Sequence, residues 1–228
     1  MLRELVSGNA NLTSVIIYII SSLAVIFLTM PVHEFAHGFA AVKLGDDTPR
    51  WQGRLTLNPF AHIDWFGAAC ILLFGFGWAR PVQVNARNFR NPKGGMAAVA
   101  LAGPLSNIVV AFISMLVVQG AGLIPLNSAL VFNIVSVIVS FFYYVAIINV
   151  SLAVFNLIPI PPLDGSRILT AILPDRYYYT IMRYERFIYM GLLALIWFGV
   201  LDVPLDFLSS AVMNLVSKLA WLPFSLFK

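Results

Sequence analysis

The sequence predicts an all-α polytopic membrane protein, with about five to six transmembrane helices and a small membrane-associated β-hairpin or sheet after the first of them. Three observations predict it. Hydrophobic residues fill 60% of the 228 positions and charged residues only 11%, whereas an ordinary soluble chain is roughly a quarter charged. The apolar residues gather into runs long enough to cross a bilayer, which takes about 20 residues of helix. The Lys and Arg residues fall mainly between those runs, as membrane-orientation signals do.

The first run, from about Leu12 to Leu44, is interrupted only by Pro31 and the sequence His33-Glu34-Phe35-Ala36-His37. At about 1.5 Å per residue, the helix from Leu12 to His33 covers roughly the 30 Å hydrocarbon core, which places His33 near the exit end. Arg3 precedes the run, but no small-residue cleavage site follows it, so the run is expected to stay in the protein. Gly45-Asp46-Asp47-Thr48-Pro49 is a turn signal, and residues 51 to 59 alternate as a short strand does. Residues 66 to 79 are apolar but too short for an ordinary span, and are expected to re-enter or lie at the interface. Pro81-Val82-Gln83-Val84-Asn85 reads as a second strand.

Further spans are expected over about Met96 to Val118 and Ser128 to Leu157, joined by uncharged residues 119 to 127. A Pro-rich stretch, Pro159 to Gly165, leads to a basic, Tyr-rich connector through Arg186. Apolar segments follow near 187 to 201 and 205 to 225, broken by Asp202, Pro204 and Asp206. With no internal repeat and no hydrophilic stretch of domain size, residues 1–228 are expected to form a single membrane-embedded domain. Its core covers about 12–173 and its peripheral helices about 187–225.

If residues 66 to 79 do not cross, three basic clusters share one side: Lys43, Arg50 and Arg54; Arg80, Arg87, Arg90 and Lys93; Arg167, Arg176, Arg183 and Arg186. By the positive-inside rule that side is the cytoplasm. The opposite side receives residues 119 to 127 and Asp202 with Asp206. Letting 66 to 79 span would move Arg80 to Lys93 outside, so five crossings fit better than six. No basic run is interleaved with exposed aromatics, which excludes a nucleic-acid partner. The lone Cys70 excludes an internal disulfide.

On a helix, residues four apart lie on one face, so His33 and His37 can reach one Zn²⁺ while Glu34 stands beside the metal as general base. A carboxylate at membrane depth is expensive and marks a functional site. The bland alternative is two histidines hydrogen-bonded in a helical core; it requires two of only three histidines to flank a Glu by coincidence. A structural zinc normally closes all four positions with Cys or His, and the chain offers one cysteine and no further cluster.

Two histidines leave a catalytic zinc short of one protein ligand. Asp164, in Asn156-Leu157-Ile158-Pro159-Ile160-Pro161-Pro162-Leu163-Asp164-Gly165, follows the third span and matches the histidines in depth and side. It also reads as a turn Asp before Gly. Three prolines and a glycine block a regular helix there, and irregular backbone at membrane depth is tolerated where it lines a cavity. His62 could compete with Asp164 as a ligand, but it follows a strand-like loop and has Asp64 to pair with, so a role near the active-site mouth or a capping hydrogen bond is the better reading. Asn107, an amide in an apolar span, reads equally as an interhelical hydrogen-bonding residue, and Gly103 as a close-packing one.

Three elements together resemble the site-2 proteases, intramembrane zinc metalloproteases. His33 to His37 resembles the family's HExxH, Gly103-Pro104-Leu105-Ser106-Asn107 its GxxxN element, and Asn156 to Gly165 its NxxPxPxxDG segment. The chain is most similar to the small prokaryotic members without a PDZ domain; it departs from larger members in having no extra span before the motif helix. The resemblance implies one Zn²⁺ per chain, completed by Asp164, with Glu34 as base. It implies that Asn107 and Asn156 help hold the substrate backbone or the oxyanion. It further implies single-span or other transmembrane protein substrates, cut in or near their helices, and a prokaryotic cytoplasmic membrane with the active site towards the cytoplasm.

A substrate helix must partly unwind before its carbonyls can be attacked, and pairing with the edge at 51 to 57 or 81 to 85 would hold it extended. The rival reading is a transporter or channel using the His/Asp site for metal or proton passage. Such a protein has no need of a non-ligating Glu34, and the paired broken segments of related halves are absent from the sequence.

Overall fold

The computed structural model of the protein describes residues 12–74, 78–174 and 183–227. Arg3, Arg176 and most of the Tyr-rich connector lie outside the described residues. The first helix, α1 (Leu12–Lys43), contains one π-helical turn, Val25–Thr29, in which the Met30 N–H bonds the Val25 carbonyl five residues back. Pro31 explains it: the ring supplies no N–H and cannot sit against the carbonyl four residues earlier, so the ladder loosens just before it. Three short helices follow, α2 (Thr48–Trp51), α3 (Pro59–His62) and α4 (Trp65–Phe74). Then come α5 (Pro92–Ala121), α6 (Ala129–Asn156), α7 (Asp164–Ile172), α8 (Glu185–Trp197) and α9 (Asp202–Trp221).

Among the described residues, four helices are long and apolar enough to cross a membrane: α1, α5, α6 and α9 with its extension to Ser225. This corrects the expected five to six. The segment near 187 to 201 yields only the 13-residue α8, about 20 Å of helix against the roughly 30 Å needed, and it ends at Gly199 with φ of 68°.

Two apolar clusters bind the bundle. Val25, Ile26 and Met30 of α1 pack with Ala68 and Ile71 of α4 and with Val145, Ile148 and Leu152 of α6. Ala111 and Met115 of α5 pack with Ala146, Val150 and Val154 of α6 and with Val216 and Ala220 of α9. Ala111, Ala146 and Ala220 of the second cluster let the three backbones approach closely, the packing that holds helices together in lipid.

Of the segment 66 to 79, residues 75–77 lie outside the described residues. Helix α4 packs on Val25, Ile26 and Met30 of α1, and the Arg80 N–H donates to the His62 carbonyl at 2.7 Å, which holds residue 80 beside the residues that precede α4.

The expected β-hairpin is corrected: among the described residues there is no strand. Residues 48 to 54 form a helical turn closed by Arg54 N–H on the Pro49 carbonyl, with Gly53 at φ of 66°. Residues 81 to 85 are extended, with Val82 buried and Gln83 exposed, but their N–H groups go elsewhere. Val82 N–H donates to the Glu34 carboxylate and Asn85 N–H to that of Asp46. Side-chain acids take the places a neighbouring strand would fill.

The side assigned to Asp202 and Asp206 is corrected as well. Gln119 Nε2 donates to Ser217 Oγ at 3.4 Å, and Phe224 lies against Gly120, so α9 ends where α5 ends. Packed along α5 and α6, it runs parallel to α5. Asp202 and Asp206 therefore lie toward the end of the bundle that holds the histidines.

Candidate active site

His33, Glu34 and His37 sit on the half of α1 after the π-turn and are all buried. The two Nε2 atoms are 3.0 Å apart, the i, i+4 arrangement that one helical face imposes. Asp164 opens α7 and brings Oδ2 to 3.4 Å from His33 Nε2 and 3.2 Å from His37 Nε2. The turn reading and the ligand reading thus converge, because the loop from Leu157 doubles back to start α7. At Gly165 a Cβ would lie 2.2 Å from the Leu157 carbonyl oxygen, so only glycine lets the loop close and present Asp164.

The donor set fits zinc. Bonds of about 2.0–2.1 Å in a tetrahedral site separate ligand atoms by roughly 3.3 Å, and the three distances here are 3.0, 3.2 and 3.4 Å. His37 Nδ1 lies 2.7 Å from the Val99 carbonyl; donating its proton there leaves the Nε2 lone pair facing the group, the usual second-layer support of a metal histidine. His33 Nδ1 is buried without a partner.

Helix α5 supplies the back wall. A Cβ on Gly103 would meet His37 Nε2 at 2.3 Å and His33 Cε1 at 2.6 Å, which establishes Gly103 as a close-packing residue and shows what it packs against. Glu34 stands outside the ligand group: its Oε2 accepts the Val82 N–H at 3.0 Å.

A cavity of about 310 Å³ opens beside the cluster, lined by His33, Glu34 and Asp164 together with both candidate amides, Asn107 and Asn156. Its other walls are largely apolar, from Met30, Leu152 and Phe155 to Leu192, Leu193 and Ile196 of α8. His62 does not join the cluster. It is fully buried with Nε2 on the Thr56 carbonyl at 2.8 Å, a hydrogen-bonding role in the loop before α4 and not a ligand's. Sequence reasoning missed Tyr189 and Trp78, which also line the cavity, and the Val82 N–H. A backbone donor has no sequence signature, and an aromatic in a membrane chain is too common to stand out.

Residues 21–199 match the family model described as peptidase family M50. The chain belongs to peptidase family M50. It is 42% identical over 157 residues to "Putative zinc metalloprotease YwhC" of Bacillus subtilis (strain 168), covering 69% of each chain. It is 30% identical over 167 residues to "Putative zinc metalloprotease MJ0611" of Methanocaldococcus jannaschii, covering 68% of this chain and 72% of that one. Over 146 residues it is 30% identical to "Putative zinc metalloprotease Rip2" of Mycolicibacterium smegmatis, covering 60% and 51%. No solved structure matches. This M50 protein is an integral membrane zinc metalloprotease of the site-2 type, as the three motifs implied. The transport reading is not favoured.

Proposed function

We propose that His33, His37 and Asp164 hold the catalytic zinc, that Glu34 is the general base, and that the enzyme hydrolyses transmembrane helices of membrane proteins near their cytoplasmic ends. The observation that supports this is the meeting of α1 and α7: two imidazoles of α1 and Asp164 of α7 lie mutually 3.0–3.4 Å apart, with Glu34 adjacent but outside the set.

When bound, zinc supplies Lewis acidity and lowers the pKa of the attacking water towards neutrality. Glu34 takes the proton of that water and delivers it to the leaving amine. The Val82 N–H holds Oε2, which leaves Oε1 free to receive the proton. Asn107 and Asn156 reach the cavity from α5 and from the end of α6; their amide N–H groups hold the substrate carbonyl as charge develops on it. The apolar walls accept an unwound stretch of transmembrane helix, and Gly or Pro in that stretch lowers the cost of unwinding by about 1–3 kcal/mol per residue.

Residues 1–228 act as one domain, with a core of about 12–173. The Lys and Arg residues from Lys43 to Lys93, with Arg167 and Arg183 to Arg186, face the cytoplasm of a prokaryotic membrane in this reading; the charge bias supports it. The test is reconstitution with a single-span substrate in liposomes, with the cut mapped by mass spectrometry. A chelator-sensitive, zinc-restored cut within the cytoplasmic end of the span is expected. Cleavage that survives chelation, or that falls only in soluble segments, would overturn the reading.

A further inference from the structure

Asp46 lies three residues beyond α1 and has no exposed surface. Its Oδ1 accepts from Thr48 N at 3.1 Å, Thr48 Oγ1 at 2.5 Å and Asn88 Nδ2 at 2.6 Å, and its Oδ2 accepts from Asn85 N at 2.7 Å. The Thr48 bonds close a local turn of the kind Asp commonly makes. The other two reach 39 and 42 residues along the chain, to a segment that no turn requires Asp46 to touch.

That segment runs over the active site. Trp78, Ala79 and Pro81 line the cavity, the Val82 N–H is on Glu34, and Phe89 is buried against Ala41 and Val99. Gly45, at φ of 106°, lets the turn after α1 approach the Asn88 carbonyl; a Cβ there would lie 3.4 Å from it. Two carboxylates, Glu34 in α1 and Asp46 just past its end, thus accept backbone N–H groups of one extended segment, at Val82 and Asn85. With no strand beside it among the described residues, the segment is held by these bonds together with the Arg80 N–H on the His62 carbonyl and the burial of Phe89, and only the two carboxylate bonds tie its backbone to α1 and the turn after it.

We propose that Asp46 is a positioning residue for hydrolysis: it fixes residues 82–88 against α1 so that the Val82 N–H holds the Glu34 carboxylate in one orientation beside the zinc ligands. The proposal rests on Glu34 being the base. Asp46 touches neither substrate nor reacting atoms. A Glu side chain turns about three torsions, and a catalytic group misplaced by about 1 Å can lose on the order of a hundredfold in rate.

The experiment compares Asp46→Asn, Val82→Pro and the double variant, as full-length zinc-loaded protein in detergent with a single-span substrate. Asn keeps an acceptor for the Thr48 turn but opposes an NH₂ to the Asn85 N–H, while Pro removes the Val82 donor. We expect each single change to lower kcat about tenfold, with KM within about twofold and zinc content unchanged. The double variant should be no slower than Val82→Pro alone, because both changes break one chain of contacts. Multiplicative losses in the double variant, a wild-type kcat in Asp46→Asn, or a loss that follows zinc content would overturn the proposal. Asn88→Ala, an exposed position, is the milder second variant if Asp46→Asn does not fold; it should lower kcat in the same direction, and an unchanged kcat there counts against the proposal. Full activity in Glu34→Gln would instead sink the base assignment, and a fully active Asp46→Asn beside an inactive Glu34→Gln would sink the present proposal alone.

Discussion

Gly103 faces His37 so closely that a methyl group in its place would lie 2.3 Å from His37 Nε2. The same atom would meet His33 Cε1 at 2.6 Å, so the α5 backbone is the wall against which both imidazoles are set. One turn earlier on that helix, the Val99 carbonyl orients His37. Gly103→Ala should therefore displace the ligands without unfolding α5, in which Ala is the best helix former. Zinc affinity should fall by at least about tenfold, the scale seen when outer support of a ligand is lost, at unchanged helical content. Competition with a chelator measures it, and wild-type affinity would show that the wall is soft.

Asp46 gives a pH dependence with a defined sign. Burial would raise its carboxyl, but hydrogen bonds from Thr48, Asn85 and Asn88 hold it below the usual carboxylate range. The unfolded value is about 3.9, so the stability it contributes is present above that pH and is lost as pH falls through the lower folded value. The Tm difference between wild type and Asp46→Asn should hold steady from neutrality to about pH 5 and shrink below about pH 4. A difference that persists undiminished to pH 2 would mean that the charge is not what matters.

Sidedness is open to labelling. In a Cys70→Ser background, single cysteines at Gln83, Asn127 and Asp202 should differ: in sealed cells an impermeant reagent should reach Asn127 alone. Labelling at Gln83 would make α4 a crossing, and labelling at Asp202 would make α8 one.

What the sequence disclosed follows from which interactions are local. The 3.6-residue repeat fixes His33 and His37 on one face whatever surrounds them, and apolar length gave spans at about Met96 to Val118 and Ser128 to Leu157 where helices Pro92–Ala121 and Ala129–Asn156 stand. Asp164 was legible because prolines forbid a helix before it. The β-hairpin was not, because alternating burial looks the same whether the N–H groups of 81 to 85 meet a strand or two carboxylates. Asp202 was placed at the wrong end because only the packing of α9 along α5 decides its direction. Asp46 read as a turn residue, which it is; its second pair of bonds depends on a segment 39 residues away.

On the HExxH helix the base and the metal ligands are separate groups. Glu34 touches Val82 N and lies outside the His33, His37, Asp164 group, so Glu34→Gln should remove the proton acceptor and leave the metal in place. Zinc content by atomic absorption, measured on the same preparation as cleavage of a reconstituted single-span substrate, decides it. The expected result is about one zinc per chain with proteolysis reduced to background; loss of zinc in this variant, or cleavage at the wild-type rate, would contradict it.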